Sequence, residues 1–294
     1  MPQDCYILHK SRKAKNDEFY TLYEDVEKEC KHYKEHYKDK VIFCNCDDYR
    51  VSNFYKYFKD NFNEFGLKKL YAVGYQENGN GIYCEYDGTS EIAKNLNGDG
   101  SFYSDESLDV LNKSDIVVTN PPFSKMLQFY NVIKDKKFLF MAPLTLLSYV
   151  WFSKECRCKD IFYGYNKNNS KKFYNGTELS QLSNILYFQN LQYFECKYTP
   201  TRYIVEIDDK RILLDDGTEL LHYDNYDAYE CKYVKNIPSN LPDGVKLGVS
   251  LNVFRYCTKE NFDYIMTNIM GCKTFQINGK TVFARLIIDN RILK

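Results

Sequence analysis

Asn120-Pro121-Pro122-Phe123 is the segment of this chain whose residue types could do chemistry. It follows Ile116-Val117-Val118, an apolar run of the length and composition of a buried strand. An exocyclic amine on an aromatic base is a poor nucleophile, because its lone pair is delocalised into the ring. An Asn side-chain oxygen and the carbonyl of the next residue can accept both N–H bonds of such an amine. That geometry draws the nitrogen towards sp³ and localises the lone pair. Prolines fix φ and bring no N–H to compete for those acceptors. A proline also holds the residue before it extended, so the carbonyls point outward at the strand end. Phe123 offers a flat ring on which a base can stack. The plain alternative is a tight Pro-Pro turn with no chemistry.

The elements that must position these residues are legible as hydrophobic periods. Leu22, Val26 and Cys30 recur every four residues, with Tyr33 and Tyr37 continuing the stripe, which predicts a helix over 22–37. Val41 to Cys44 predicts a short buried strand. Phe54, Phe58, Phe62 and Phe65 form one helix face, ended by Gly66. Leu70 to Val73 predicts the next strand, Asn78 to Gly81 a turn, and Ile82 to Tyr86 a hairpin arm. Leu108 and Leu111 mark a short helix. Strands at 116–119, 138–141 and 161–163 follow, with a helix over 124–134. Such alternation predicts an α/β fold with a parallel sheet. In such sheets ligands sit at the carboxyl ends of the strands, where Asn120 lies. Residues 164–182, rich in Asn, Lys, Gly and Ser, predict a mobile loop. Beyond 193 the pattern changes to short β-like stretches (203–207, 211–214, 245–253 and 281–288) between Gly- or Pro-containing turns. The expected division is therefore 1–193 and a mostly β region, 194–294.

The bulk numbers narrow the class. A hydrophobic fraction of 44% supports a real core, and no run of 18 apolar residues predicts a transmembrane helix. Met1 to Lys15 is polar and basic, without the apolar segment of a signal peptide. The 11 scattered cysteines then fit reduced thiols in a cytoplasmic protein. Forty basic and 40 acidic residues cancel, which argues against indiscriminate nucleic-acid binding and leaves room for a local basic stripe. Such stripes occur at Lys10, Arg12, Lys13 and Lys15, and at Lys171 and Lys172; solvated loops explain each equally well. Tyrosine (28) and phenylalanine (20) accompany many Asn and Lys residues, the mark of an AT-rich coding sequence, so aromatic content is no base-stacking signal.

Two metal-like patterns are outweighed. His32-Tyr33-Lys34-Glu35-His36 matches H-x-x-E-H, but no third ligand is evident. Cys44-x-Cys46 and Cys156-x-Cys158 lack the usual zinc spacing and fit buried thiols better. No metal site is expected. Asn45, Asp47 and Asp48, in the turn after the first sheet strand, could bind ammonium and hydroxyl groups; an Asx-rich turn is the equal alternative.

With these elements in order, the chain resembles the EcoRI-type adenine-specific DNA methyltransferases. The likeness rests on Lys13-Ala-Lys-Asn-Asp-Glu-Phe-Tyr-Thr21 with Glu24-Asp-Val-Glu-Lys-Glu29. It continues in Phe43-Cys-Asn-Cys-Asp-Asp48, Val51-Ser-Asn-Phe54 and Lys56-Tyr-Phe58, and in Asp115-Ile-Val-Val-Thr-Asn-Pro-Pro-Phe-Ser124. Weaker echoes lie at Gly98-Asp-Gly-Ser-Phe102, Ile237-Pro238, Gly248-Val249, Gly279-Lys280 and Ala284-Arg285. The chain departs from the family pattern at Tyr49, where Pro is usual, and at Tyr187 to Leu191, where a Trp-containing block is usual.

The resemblance implies a Rossmann-like methyltransferase sheet over 1–193 and a target-recognition region over 194–294. It implies S-adenosylmethionine as cofactor, held by Phe19, Tyr20 and Thr21 with Asn45, Asp47 and Asp48, and by Asp99 and Phe102 around its adenine ring. The acid or amide expected on the ribose falls at Tyr75-Gln76-Glu77. Asn120, Pro121, Pro122 and Phe123 take the catalytic role, and Asn at 120 favours adenine over cytosine. Phe173 is a candidate second face for the target base, with loop anchoring as its alternative. Arg202 and Lys280 are candidate DNA contacts. The implied partner is double-stranded DNA, with no membrane; a cognate restriction endonuclease in the same system is the further partner such a resemblance allows. Enzymes acting on RNA or on protein glutamine also use Asn-Pro-Pro-aromatic, and a non-catalytic DNA-binding relative is the third reading.

Overall fold

The computed structural model describes residues 20–158, 161–166, 171–174, 179–182, 184–193, 199–255, 263–267, 275–282 and 285–289. The chain divides into two compact units, Met1–Pro143 with Ile161–Tyr193, and Leu144–Asp160 with Phe194–Lys294. The short stretch 144–160 thus groups with the C-terminal residues.

The first unit is built on an eight-stranded sheet. With β1 at Tyr20–Thr21 outside it, its strands are β2 (Val41–Cys44), β3 (Lys69–Gly74), β4 (Ile82–Tyr86), β5 (Glu91–Asn95), β6 (Ile116–Thr119), β7 (Lys137–Pro143), β8 (Phe162–Tyr163) and β11 (Ile185–Gln189), in the order β5-β4-β3-β2-β6-β7-β11-β8. The four central strands are parallel. The flanking strands are antiparallel, so the sheet is mixed rather than purely parallel. Chain order reverses between β2 and β6. In β2 and β6 every residue is buried, as strands covered on both faces require.

The predicted helix over 22–37 is interrupted: α1 (Tyr23–Cys30) and α2 (Lys34–Tyr37) flank one 3₁₀ turn. Its stripe of Val26, Cys30, Tyr33 and Tyr37 is fully buried. The Phe stripe is likewise carried by two helices, α3 (Asn53–Asp60) and α4 (Phe62–Phe65), which part at Asn61. The Asn61 side chain donates to the Tyr57 carbonyl at 2.8 Å, and Gly66 ends α4 at φ +61°. Tyr37, Phe58 and Phe65 meet there, with the Tyr37 and Phe58 rings 5.0 Å apart. Much of the aromatic content is therefore core. Beyond β5 come α5 (Asp105–Asn112), capped by Ser104, and, after a 3₁₀ turn at Phe123–Lys125, α6 (Met126–Ile133).

The expected mobile loop over 164–182 is corrected. It carries β9 (Lys171–Tyr174) and β10 (Leu179–Leu182), which form a three-stranded antiparallel sheet with β1.

Glycines set the spacing at the carboxyl end of the parallel strands. A Cβ on Gly74 would lie 2.8 Å from Asp48 Cα, and one on Gly81 would lie 2.4 Å from Gly100 Cα. Gly100 itself needs φ +77°. Gly81→Ala should therefore cost about 1–3 kcal/mol by overpacking. Chemical denaturation checks this, and wild-type stability would show that the backbones are free to separate.

The second unit holds α7 (Val150–Cys158) and three small sheets. β12 (Ile204–Ile207), β13 (Arg211–Leu214) and β14 (Glu219–Leu221) are antiparallel. β15 (Tyr229–Cys231) runs parallel to β16 (Lys246–Ser250), which pairs with β20 (Arg285–Asp289), and that with β17 (Asp263–Thr267). β18 (Phe275–Ile277) and β19 (Lys280–Val282) form a hairpin on Asn278-Gly279, both at positive φ. Tyr223 stacks on Phe275 at 4.8 Å within a core that includes Ala228 and Ile287.

Candidate active site

The turn after β2 and the end of β6 are joined by one carboxylate. Asp47 Oδ1 accepts from Ser52 Oγ at 2.7 Å, and Oδ2 accepts from Thr119 Oγ1 at 2.5 Å. Asp47 N–H donates to the Val73 carbonyl at 3.0 Å, adding the end of β3 to the junction. Ser52 is also the cap of α3, accepting from Phe54 N and Tyr55 N. Asp47, Ser52 and Thr119 are all buried. Asn120 follows Thr119 directly and is half-buried at the β2/β6 switch point, where open α/β sheets bind ligands.

Pro122 is extended (φ −65°, ψ 115°), and its carbonyl accepts from Lys125 N at 3.0 Å. Phe123 is buried, with 6% of the residue exposed, so little of it is open to a base in this structure.

The other cofactor candidates gather around the same strand ends. Asn45 is 1% exposed, and its Nδ2 is a buried donor without a hydrogen-bond partner among the described residues. Such an orphan is costly unless a ligand satisfies it. Asp48 is held by Arg50 through a two-pronged contact, the shortest arm 2.6 Å. The Thr21 carbonyl accepts from Asn53 Nδ2 at 2.7 Å, while its hydroxyl donates to Met141 Sδ at 3.2 Å. Tyr20 lies in β1 through its main chain, and Phe19 lies outside the described residues.

Across the site, the Asp99 carbonyl accepts from Gln76 N at 2.8 Å. The Asp99 carboxylate accepts from Ser101 N and Oγ, and these bonds, helped by the charge of Lys125, hold it below the usual carboxylate range. Phe102 packs edge-on against Phe129 at 5.7 Å and Tyr103 at 5.1 Å.

Sequence reasoning missed Lys125 and Tyr103, and it named Tyr75 only as part of the segment expected near the ribose. The Lys125 ammonium lies 5.7 Å from the Tyr75 ring and 5.5 Å from the Tyr103 ring, beside Asp99. It ties the turn after Asn120 to both loops that flank the strand ends. No spacing rule links residues 75, 103 and 125; Ser52 alone had a signal, as a helix-cap residue before Asn53. Lys125→Met should weaken cofactor binding about fivefold to tenfold, given roughly 1 kcal/mol for an exposed cation–π contact. Lys125→Arg should restore it in calorimetry.

Three candidates lie elsewhere. Phe173 is fully buried in β9 opposite Thr21 and Ser180, a placement that favours the anchoring alternative. In the second unit, Arg202 is ion-paired with Asp216 at 3.0 Å, and its carbonyl accepts from Ser239 N. Lys280 is exposed at the start of β19. Residues of the Lys10–Lys15 stripe and Ala284 lie outside the described residues.

His32 stacks on Tyr165 at 4.0 Å. Among the described residues, no group of three His, Cys, Asp or Glu side chains could hold a metal ion. No described helix is long and apolar enough to cross a membrane. Burial raises the thiols of Cys30 and Cys44 well above their ordinary pKa, so neither is a ready thiolate.

A family model described as adenine-specific methyltransferase EcoRI matches residues 7–290. The type II methyltransferase M.EcoRI of Escherichia coli is 36% identical over 327 aligned positions, covering 98% of this chain and 97% of that protein. M.MpnI of Mycoplasma pneumoniae is 38% identical over 57% of this chain and 53% of its own length. M.MgeORF184P of Mycoplasma genitalium is 36% identical over 56% of this chain and 53% of its own length. No solved structure matches. A match across nearly the whole length, on a mixed α/β sheet with Asn-Pro-Pro-Phe at its switch point, shows that the chain belongs to the adenine-specific methyltransferase EcoRI family.

Proposed function

We propose that this enzyme methylates the N6 amine of adenine in double-stranded DNA, using S-adenosylmethionine. The observation that carries the reading is the Asp47 junction, which fixes the β2 turn against the residue preceding Asn120. When bound, S-adenosylmethionine supplies an electrophilic methyl group on a sulfonium. The residues present fit it. Asn45 Nδ2 is a buried donor suited to a carboxylate, and Gly74, Gly81 and Gly100 let the backbones close around the strand ends. Asp47 is engaged on both oxygens, so its part is to hold the turn. Asp48 offers a carboxylate to an ammonium in exchange for Arg50. Thr21, which the Asn53 amide ties to α3, holds the cofactor on the β1 side, with Phe19 and Tyr20 sharing that role by resemblance, and Asp99 with Phe102 holds its adenine end.

The target adenine leaves the duplex at a cost of a few kcal/mol. Asn120 Oδ1 and the Pro121 carbonyl accept its two N–H bonds and aim the nitrogen at the donor methyl. Pro122 sets the turn. Phe123 stacks on the base once its ring is uncovered. Phe173 supports β1 from behind rather than reaching the base. Residues 194–294 read the DNA, with Lys280 a better-placed contact than the ion-paired Arg202. The enzyme works on cytoplasmic DNA, and its methylated sites would be spared by a cognate restriction endonuclease of the same system.

Calorimetric titration with S-adenosylmethionine and methyl transfer to duplex DNA, RNA and protein test the reading. Binding, with transfer to duplex DNA alone, is expected. Transfer to RNA or protein in preference to DNA would overturn the substrate, and absence of binding would overturn the cofactor.

A further inference from the structure

Several cations of the second unit are ion-paired, while others, Lys210 and Lys280 among them, are exposed without a carboxylate at ion-pair distance among the described residues. Arg202 pairs with Asp216, Arg211 with Glu206 and Glu219, Lys246 with Asp227, and Arg285 with Glu230. Lys232 and Lys235 are exposed and, among the described residues, face no carboxylate within ion-pair distance. Both lean instead on one ring. Their ammonium groups lie 5.2 Å and 6.0 Å from the centroid of Tyr233. Tyr233 is 52% exposed.

This corner is anchored on both sides. Cys231, buried at the end of β15, donates its thiol to the Tyr233 carbonyl at 3.4 Å. Asn236 N donates to the same carbonyl at 2.9 Å, and Ile237 N to the Val234 carbonyl at 3.0 Å. Asn236 and Ile237 are buried. Two positive charges and an aromatic face are thus presented on a fixed stretch of backbone. Fixed geometry lowers the ordering cost of a contact. Phosphates are the complementary partner for the lysines, and a sugar or base for the ring.

We propose that Lys232, Tyr233 and Lys235 form a DNA contact, with the two ammonium groups on phosphates and the Tyr233 ring packed between them. This rests on the DNA reading above and adds residues that no sequence motif marked.

The test is binding of the full chain to a duplex of random sequence, followed by fluorescence anisotropy across a range of salt. A random duplex suffices because phosphate contacts do not depend on sequence. Lys232→Gln and Lys235→Gln should each flatten the slope of log affinity against log salt by about one unit. Lys232→Arg and Lys235→Arg should keep the wild-type slope. Tyr233→Ala should weaken binding about tenfold at unchanged slope, the size of one stacking contact, and Tyr233→Phe should keep it. Wild-type slopes in both Gln variants overturn the proposal. Loss of slope in the Arg variants as well would mark a structural role and overturn it too. A wild-type chain that binds no duplex would instead defeat the DNA reading itself.

Discussion

Asn120→Ala is expected to slow methyl transfer by about 10²–10³-fold, the usual cost of removing one preorganised contact made in the transition state. In the proposed mechanism the Asn120 oxygen is one of two acceptors that localise the amine lone pair, and the Pro121 carbonyl remains as the other. The loss should fall on the chemical step. Cofactor affinity should survive, because the residues proposed to hold the cofactor lie in the β2 turn, β1 and the 99–102 loop and do not include Asn120. Single-turnover kinetics with calorimetry separates these effects. Near-normal turnover would remove Asn120 from the chemistry, and a parallel loss of cofactor binding would make its role structural.

Asp47→Ala should be the most damaging substitution to the site's architecture. It strips the acceptor from two buried hydroxyls, Ser52 and Thr119, at distances that leave no room for water between the present partners. Each buried group left unsatisfied costs about 1–3 kcal/mol, so a loss of about 3 kcal/mol is expected in all. The turn after β2 should loosen from β6, weakening cofactor binding and turnover together. Asp47→Asn keeps an acceptor for Ser52, and its amide can donate to Thr119, so most stability should return. Denaturation midpoints and calorimetry check the pair. Equal behaviour of Ala and Asn would show that the carboxylate does not brace the site through these bonds.

The core of the fold was legible because its signals are local. β6 at Ile116–Thr119 and β2 at Val41–Cys44 match the sequence reading residue for residue, being short apolar runs closed by turn-forming residues. The second unit's β13 was legible for the same reason. What failed was non-local. β9 and β10 have polar sequences and exist through pairing with each other and with β1, which lies about 150 residues earlier, a relation no period reports. β5 is exposed along its whole length and carries no alternation. The Phe stripe runs straight through the break at Asn61, because spacings of four, four and three suit one helix or two equally. The site divides the same way. The motif at 120–123 and the Asx turn at 45–48 stood out in sequence. That turn carries no glycine, and the close backbone approaches near it are made by glycines at 74, 81 and 100, far off in sequence. The Lys125 clasp and the Thr119 to Asp47 bond join residues too far apart in sequence for any spacing rule.

The most direct test of the account is the position of the transferred methyl group. Duplex DNA incubated with the enzyme and methyl-labelled S-adenosylmethionine would be digested to nucleosides and resolved by mass spectrometry. The account predicts label in N6-methyldeoxyadenosine with the wild-type chain, and a sharply reduced yield with Asn120→Ala. Label on cytosine, or label on adenine that is indifferent to Asn120→Ala, would contradict it.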